Sequence, residues 1–349
     1  MGFSAYIHIP FCEVKCGYCD FFSVPRGFED FDLQKEYVDT LVAEIHERSA
    51  EFSKEPVVSV FFGGGTPSLL EPKLLGRVLD ALARHFSWEN STEITLETNP
   101  KTVNRDKLAS FRSLGLNRIS LGVQSFQDRF LKVLGRIHDG NDARRAVDDA
   151  RAAGFKNVSC DLIFALPGQS FEDWTKDLNA ALALGTDHLS AYHLTIESNT
   201  PFETLYKQGK LPLPAEEEGV RMLQWTRARL AEAGMGAYEI SNFARPGFES
   251  VHNGHYWRYG EYLGFGAGAV SCRSSVRRHN VRSLKKYLGG DALDFEDRID
   301  RKTAMGEFCM LGLRTREGID AGRFEGLFGV SLQEAFAAPL ACARDRGWL

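Results

Sequence analysis

Short apolar, β-branched runs alternate along the first two hundred residues with longer stretches in which apolar residues recur every three or four positions. The longer stretches predict helices, including Leu33–Glu51, Ala143–Ala153 and Phe171–Leu184. The short runs predict six strands, which are Ala5–Ile9, Val57–Phe62, Glu93–Glu97, Arg118–Val123, Asn157–Phe164 and His188–Leu194. Repeated strand–helix units form a parallel sheet covered by helices. The rhythm alone fits both a doubly wound open sheet and a barrel.

The alternation of predicted strands and helices ends near residue 200. Prolines and glycines predict a linker around Pro201–Pro214. Beyond it lie an acidic helix start, a stretch rich in glycine and aromatic residues from Tyr238, and a predicted helical tail from Lys302. We therefore predict two domains, over residues 1–210 and 211–349.

Composition narrows the classes of partner. The 349 residues are 43% hydrophobic and 26% charged, as in an ordinary globular protein, and the formal net charge is −5. An acidic chain argues against nucleic acid or an acidic membrane surface as the main partner. No run approaches the roughly 20 apolar residues of a membrane helix, and the N-terminus lacks a secretory signal pattern. We expect a cytoplasmic protein.

Three of the seven cysteines, Cys12, Cys16 and Cys19, follow directly after the first predicted strand. Their spacing leaves one thiol unpaired in a disulfide framework and lacks the fourth ligand of a closed zinc site. Three thiolates on one loop suit three irons of a cubane cluster and leave the fourth iron open to an outside ligand. The pattern therefore predicts an iron–sulfur cluster with an open position.

Polar residues recur at the carboxyl ends of the other predicted strands, where parallel sheets bind ligands. We expect them to share one site, although each alone also fits a structural role. The triple glycine lets a ligand approach the backbone closely, but it matches neither a dinucleotide fingerprint nor a phosphate loop. The residues concerned are Gly63-Gly64-Gly65-Thr66, Glu97, Gln124, Asp161 and Tyr192-His193.

A second dense motif is His252-Asn253-x-x-Tyr256-Trp257. A histidine beside an amide and two aromatic residues suits a flat, apolar cofactor that needs an axial ligand. From the residues alone, an ordinary structural role for His252 is still favoured.

The motif Tyr6-x-His8-x-Pro10-Phe11-Cys12-x3-Cys16-x-Tyr18-Cys19, together with Gly63-Gly64-Gly65-Thr66-Pro67, resembles the oxygen-independent coproporphyrinogen III oxidase family of radical S-adenosylmethionine (SAM) proteins. Glu97 before Asn99-Pro100, Gly122-Val123-Gln124-Ser125-Phe126 and Leu134-Gly135-Arg136 follow in the family's order, and the resemblance covers about residues 4–320. It implies an incomplete (β/α)6 barrel followed by a small, mostly helical C-terminal domain. The family usually continues beyond Trp348-Leu349, so we expect a shortened tail.

The same resemblance implies that Cys12, Cys16 and Cys19 hold a [4Fe–4S] cluster and that SAM binds its open iron. Residues at the positions lining SAM are Tyr6, Tyr18, Gly64, Gly65, Thr66, Glu97, Gln124, Arg136, Asp161 and Tyr192.

Two branches of this family differ beyond the third cysteine. True dehydrogenases have a longer N-terminal arm and a fourth cysteine at the position that Phe21 occupies here. The heme chaperone branch carries Cys-x3-Cys-x2-Cys-x-Phe and the His-Asn-x-x-Tyr-Trp motif, which is tied to heme binding. The chain resembles this branch, which implies that His252 binds heme and that heme passes to an acceptor protein. The alternative is oxidative decarboxylation of coproporphyrinogen III.

The implied partners are heme, a heme-accepting protein and an electron donor if SAM is cleaved, with transient contact to a membrane protein also allowed. The resemblance leaves open whether SAM is cleaved or gates transfer, how heme is attached, and the oligomeric state.

Overall fold

The computed structural model describes residues 2–25, 29–52 and 55–348. All six predicted parallel strands are present, and each begins and ends within two residues of its predicted limits. They are β1 (Phe3–Ile9), β2 (Val57–Gly64), β3 (Glu93–Thr98), β4 (Arg118–Gln124), β5 (Asn157–Phe164) and β6 (His188–His193).

Helices connect these strands and cover one face of the sheet. The predicted helix at 143–153 begins earlier, because Asp139 caps it and exchanges hydrogen bonds with Asp142. The helices up to residue 207 are α1 (Phe31–Arg48), α2 (Pro72–His85), α3 (Arg105–Ser113), α4 (Asp128–Leu134), α5 (Gly140–Ala152), α6 (Phe171–Ala183) and α7 (Pro201–Lys207). The last of these corrects the predicted linker: Pro201 stands in the first turn and the Thr200 side chain accepts from the Glu203 N–H.

The strands alternate in polarity along their length. In β5, Val158, Cys160 and Leu162 are fully buried in the hydrophobic core that the helices share. The residues between them include Ser159 and Asp161, which hydrogen-bond to other polar groups of the barrel. The barrel interior is therefore polar, and the apolar core lies between strands and helices.

Residues beyond 210 extend this sheet at both edges. Strand β9 pairs in parallel with β1, β10 and β11 follow it, β12 forms that edge, and β8 and β7 continue from β6. These strands are β7 (Gly236–Ala237), β8 (Asn242–Ala244), β9 (Tyr262–Phe265), β10 (Val270–Arg273), β11 (Val276–Asn280) and β12 (Leu293–Arg298). The twelve strands of the described residues form an open sheet, so the predicted incomplete barrel is confirmed, with β strands where mainly helix was expected.

The helical C-terminal region comes last in the chain. The helices after residue 210 are α8 (Glu216–Glu232), α9 (Val251–Trp257), α10 (Leu284–Leu288), α11 (Arg301–Arg314), α12 (Ala321–Phe328), α13 (Leu332–Ala335) and α14 (Ala337–Asp345). Strands from both sides of the predicted boundary at residue 210 belong to the same sheet. In the described ranges, no helix combines the length and apolar character needed to cross a membrane.

A buried charge network fastens the added strands to the first helix. Arg48 of α1 donates to the Gly264 carbonyl at 2.8 Å and to Ser271 Oγ at 2.9 Å. Its partner Glu44 accepts from Asn280 Nδ2 at 2.7 Å. Because buried charges are costly unless fully hydrogen-bonded, this network strongly favours one position of the C-terminal strands against α1.

Candidate cofactor site at the carboxyl ends of the strands

A cavity of about 410 Å³ opens at the carboxyl ends of the parallel strands. It brings together all three cysteines of the motif and most of the residues expected to line SAM. The predicted residues on its wall are Cys12, Cys16, Cys19, Tyr18, Gly64, Gly65, Thr66, Glu97, Gln124, Arg136, Asp161 and Tyr192.

The cysteine loop is held in this cavity by backbone hydrogen bonds. The Cys12 N–H donates to the Val24 carbonyl at 3.1 Å, and the Gly17 N–H donates to the Leu134 carbonyl at 3.3 Å. All three cysteines are free and partly buried. Among the described residues, no three His, Cys, Asp or Glu side chains are arranged to hold a single metal ion.

The electrostatics of the loop fit thiolate ligands that are compensated by a cation. Burial raises the pKa of the Cys12 thiol and raises that of Cys19 to about 11. Burial alone would lower the pKa of Arg136, yet nearby Tyr18 and Cys16 raise it. Arg136 Nη1 lies 3.6 Å from Cys16 Sγ. Because metal binding removes the thiol protons, a fixed arginine beside the sulfurs stabilises the charge that remains.

The glycine segment at the end of β2 packs against the start of the cysteine loop, and backbone hydrogen bonds join the two. The Gly65 N–H donates to the Ile9 carbonyl at 2.8 Å, and the Thr66 N–H donates to the Phe11 carbonyl at 2.7 Å. A Cβ on Gly65 would lie 2.6 Å from the Phe11 carbonyl oxygen. Gly64 has φ +112°, which side chains rarely tolerate. These glycines are needed for the loop's position as well as for ligand access.

Two partly buried carboxyl groups, Glu97 and Asp161, face the same cavity. Burial, followed by the neighbouring Asp161, raises the pKa of Glu97 to about 8, against a hydrogen bond from the Gly64 N–H. Burial also raises the pKa of Asp161, which accepts from Ser120 Oγ at 2.8 Å and Ser190 Oγ at 2.6 Å. In the described part of the chain neither acid forms a salt bridge. An acid pair without a cation suits a ligand with an ammonium group or hydroxyls.

The end of β4 is distorted where it meets the cavity. The pairing with β5 shifts between Gly122 and Gln124, and Gln124 adopts φ 65°. Arg136 Nη2 donates to the Gly122 carbonyl at 2.7 Å, while its Nε is buried without a partner in the described residues. A bulge at a strand end re-aims a side chain. Here Gln124 and the Arg136 guanidinium both line the cavity, and a guanidinium is a suitable partner for a ligand carboxylate.

Tyr6 stands apart from this group. Its hydroxyl lies 3.1 Å from His8 Nδ1, and His8 Nε2 lies 2.8 Å from the Phe22 carbonyl. Tyr6 lines a second cavity on the other side of the cysteine loop. Its predicted contact with SAM stays a prediction.

His252 lies inside the barrel, away from the cysteine loop. Only 1% of the residue is exposed, its Nδ1 is 2.9 Å from Ser59 Oγ, and its ring stacks on Phe61 at 4.7 Å. Burial lowers its pKa to about 3. Its Nε2 is buried without a partner in the described residues. His252 is not among the residues that line the strand-end cavity or the second cavity, and its role in heme binding stays a prediction.

Sequence reasoning missed the polar lining of the barrel and the second cavity. Ser159 and Ser190 were missed although they alternate with buried apolar residues in β5 and β6, as the predicted Asp161 does, and that alternation was a usable signal. The second cavity had no such signal, because its walls come from segments far apart in the chain.

Comparisons with known proteins agree with this architecture. A model of the radical SAM superfamily matches residues 6–181, and a model of the HemN C-terminal domain matches residues 299–349. The crystal structure of coproporphyrinogen III oxidase (HemN) from Escherichia coli has a TM-score of 0.83 and 26% identity, covering 97% of this chain and 83% of that chain. The open barrel and its three-cysteine loop are those of a radical SAM protein.

Closer sequence relatives identify the branch. The heme chaperone HemW of Bacillus subtilis is 35% identical, covering 99% of this chain and 92% of that protein. The mitochondrial radical S-adenosyl methionine domain-containing protein 1 of Mus musculus is 38% identical, covering 92% of this chain and 70% of that protein. The chain belongs to the HemW family of radical SAM proteins. The predicted branch of the family is therefore confirmed, as far as membership goes.

Proposed function

We propose that this protein is a heme chaperone that carries one [4Fe–4S] cluster, binds SAM, binds heme and passes heme to an acceptor protein. The observation that carries the proposal is the similarity to heme chaperones of the HemW family over nearly the whole chain. The cavity at the strand ends supports it with a donor set that fits the cluster and SAM.

The roles of the residues follow from the cavity. Cys12, Cys16 and Cys19 would hold the cluster, which supplies an electron or a gate for transfer when bound. The partly buried Glu97 would pair with the ammonium group of SAM, and the guanidinium of Arg136, which lines the cavity, would donate to its carboxylate. The backbone of the glycine segment admits the ligand without side-chain obstruction.

The experiment is a comparison of heme binding and turnover on anaerobically reconstituted protein. We expect close to four irons, a brown charge-transfer absorbance, and saturable heme binding, with no protoporphyrinogen formed from coproporphyrinogen III, SAM and reductant. Turnover of coproporphyrinogen III without heme binding would overturn the chaperone proposal. It would favour the dehydrogenase alternative, which the close fold similarity to HemN supports.

A paired variant tests the predicted heme role of His252. If His252 binds heme, His252→Ala weakens heme binding and leaves the iron content unchanged. Ser59→Ala keeps the imidazole, removes the hydrogen bonds of Ser59 Oγ to the ring and to Ser4 Oγ, and serves as the matched control. Unchanged heme affinity in His252→Ala would assign the residue to barrel stability.

The proposal extends to the cellular location and to the remaining partners. We place the protein in the cytoplasm, where a reducing environment preserves cluster thiolates. The acceptor protein, an electron donor if SAM is cleaved, and a transient membrane-protein contact belong to the same proposal. Heme transfer from the loaded protein to a cell fraction, followed by absorbance of that fraction, tests for an acceptor.

A further inference from the structure

A second and larger cavity, of about 800 Å³, lies on the other side of the cysteine loop. Its floor is the face of β9 to β11, and its far wall is formed by α11 and α12. Asp20 and Phe21 line both cavities, so the loop that carries the cysteines is the wall between them. A volume in the upper part of the usual range for ligand pockets leaves room for a large ligand.

Four large apolar residues on the walls of this cavity are more than half exposed. Phe21 is 62% exposed, Met310 58%, and Phe295 and Leu327 51% each. All four line the cavity, although they come from the cysteine loop, β12, α11 and α12. Large apolar side chains from four separate segments that meet around one space indicate a binding site for an apolar ligand.

His279 of β11 stands on this wall with its ring nitrogens available. The imidazole stacks on Phe295 with 4.2 Å between ring centroids and 13° between planes. No hydrogen bond or salt bridge joins its ring nitrogens to any of the residues that the structure describes. An imidazole nitrogen without another partner is available to bind iron.

Of the arginines that line the cavity, Arg277 and Arg282 differ in the number of donors left for a ligand. Arg277 is bound by both oxygens of Glu307, at 3.0 and 2.8 Å. Arg282 donates to the Asp20 carbonyl at 2.6 Å and forms no salt bridge within the described ranges. A guanidinium has five donors, so Arg282 retains donors for a ligand carboxylate.

We propose that heme binds in this second cavity, with His279 as an axial ligand of its iron and Arg282 bound to a propionate. The inference rests on the proposed chaperone function and names the site of its cargo. Phe21, Phe295, Met310 and Leu327 then cover the apolar porphyrin. The proposal puts heme beside the cysteine loop and does not require the buried His252 to leave the barrel.

The test compares two ligands on the reconstituted full chain. Hemin contains iron and reports axial ligation through its Soret band, whereas metal-free protoporphyrin IX has the same ring and propionates and no iron. We expect His279→Ala to weaken hemin binding by roughly tenfold or more and to shift the Soret band, with unchanged protoporphyrin binding. Arg282→Gln should weaken both ligands. His46→Ala, an exposed histidine outside both cavities, should change neither.

A rescue experiment separates ligation from folding. Free imidazole added to His279→Gly should restore the wild-type Soret band if the histidine binds iron. Equal loss of hemin and protoporphyrin binding in His279→Ala, or an unchanged Soret band, overturns the inference and leaves the chaperone proposal standing. Absence of heme binding by the wild-type protein overturns the chaperone proposal itself.

Discussion

Glu97→Gln tests whether the cavity at the strand ends is built for a charged ligand. The folded pKa of Glu97 is about 8 and its ordinary value is 4.5. Because folding raises the pKa of this carboxyl group, the unfolding free energy is highest below pH 4.5, where the group is protonated in both states. It falls as the pH rises towards 8, because the unfolded state loses the proton first. At pH 7, which lies 2.5 pH units above the ordinary pKa of 4.5, the loss of unfolding free energy is roughly 3 kcal/mol, at about 1.36 kcal/mol per pH unit.

The variant should therefore be more stable than the wild type, and the gain should depend on pH. We expect a gain in unfolding free energy of up to about 3 kcal/mol at pH 7 and almost none at pH 4.5. The amide keeps the hydrogen bond from Gly64 and removes the titrating proton. Urea unfolding at pH 4.5, 6, 7 and 8 measures this gain. Glu217→Gln at the exposed start of α8 is the matched control and should show no such trend.

The same variant should lose SAM affinity, because an uncharged amide no longer pairs with the ammonium group. Wild-type SAM affinity should rise with pH up to about 8, and the variant should lose that dependence. Calorimetric titration at three pH values measures both effects. A stability gain that is equal at pH 4.5 and pH 8, together with unchanged SAM affinity, would refute the electrostatic reasoning.

Three further predictions concern the loop and the attached strands. Cys16→Ser should lose most of the iron with the far-ultraviolet circular dichroism unchanged. Gly65→Ala places a methyl group 2.6 Å from the Phe11 carbonyl oxygen, and overpacking of about 1–3 kcal/mol should lower the urea midpoint and the iron content. Gly326→Ala lies inside α12 with open space around it and should lower neither. Arg48→Met leaves the buried charge of Glu44 without a counter-ion and should lower the unfolding free energy, measured with urea, by about 3–5 kcal/mol. A decrease below about 1 kcal/mol would contradict the role of the Arg48–Glu44 network.

The cysteine loop separates the two cavities and lines both of them. One side of it carries the thiols and faces Arg136 and Glu97, while Phe21 and Asp20 form the edge of the larger space. Phe21 therefore does more than occupy the place of a fourth cysteine. Its exposed ring borders both cavities.

The sequence by itself determined the strands and the cluster loop. Alternation within β5 and the apolar run of β2 are local properties, since a strand's buried positions follow directly from neighbouring residues. The spacing of Cys12, Cys16 and Cys19 is equally local. The gathering of Glu97, Asp161 and the cysteines could also be predicted, because carboxyl ends of parallel strands meet at one edge.

Only the tertiary structure decided what the C-terminal residues build. The parallel pairing of β9 with β1 joins residues more than 250 positions apart, and no local pattern specifies such a partner. The same is true of His252 and His279. Each is a histidine near aromatic residues, but packing against Ser59 and Phe61 buries the first, whereas α11 and α12 leave space over the second. Burial and cavity formation depend on distant segments meeting, so they are properties of the fold.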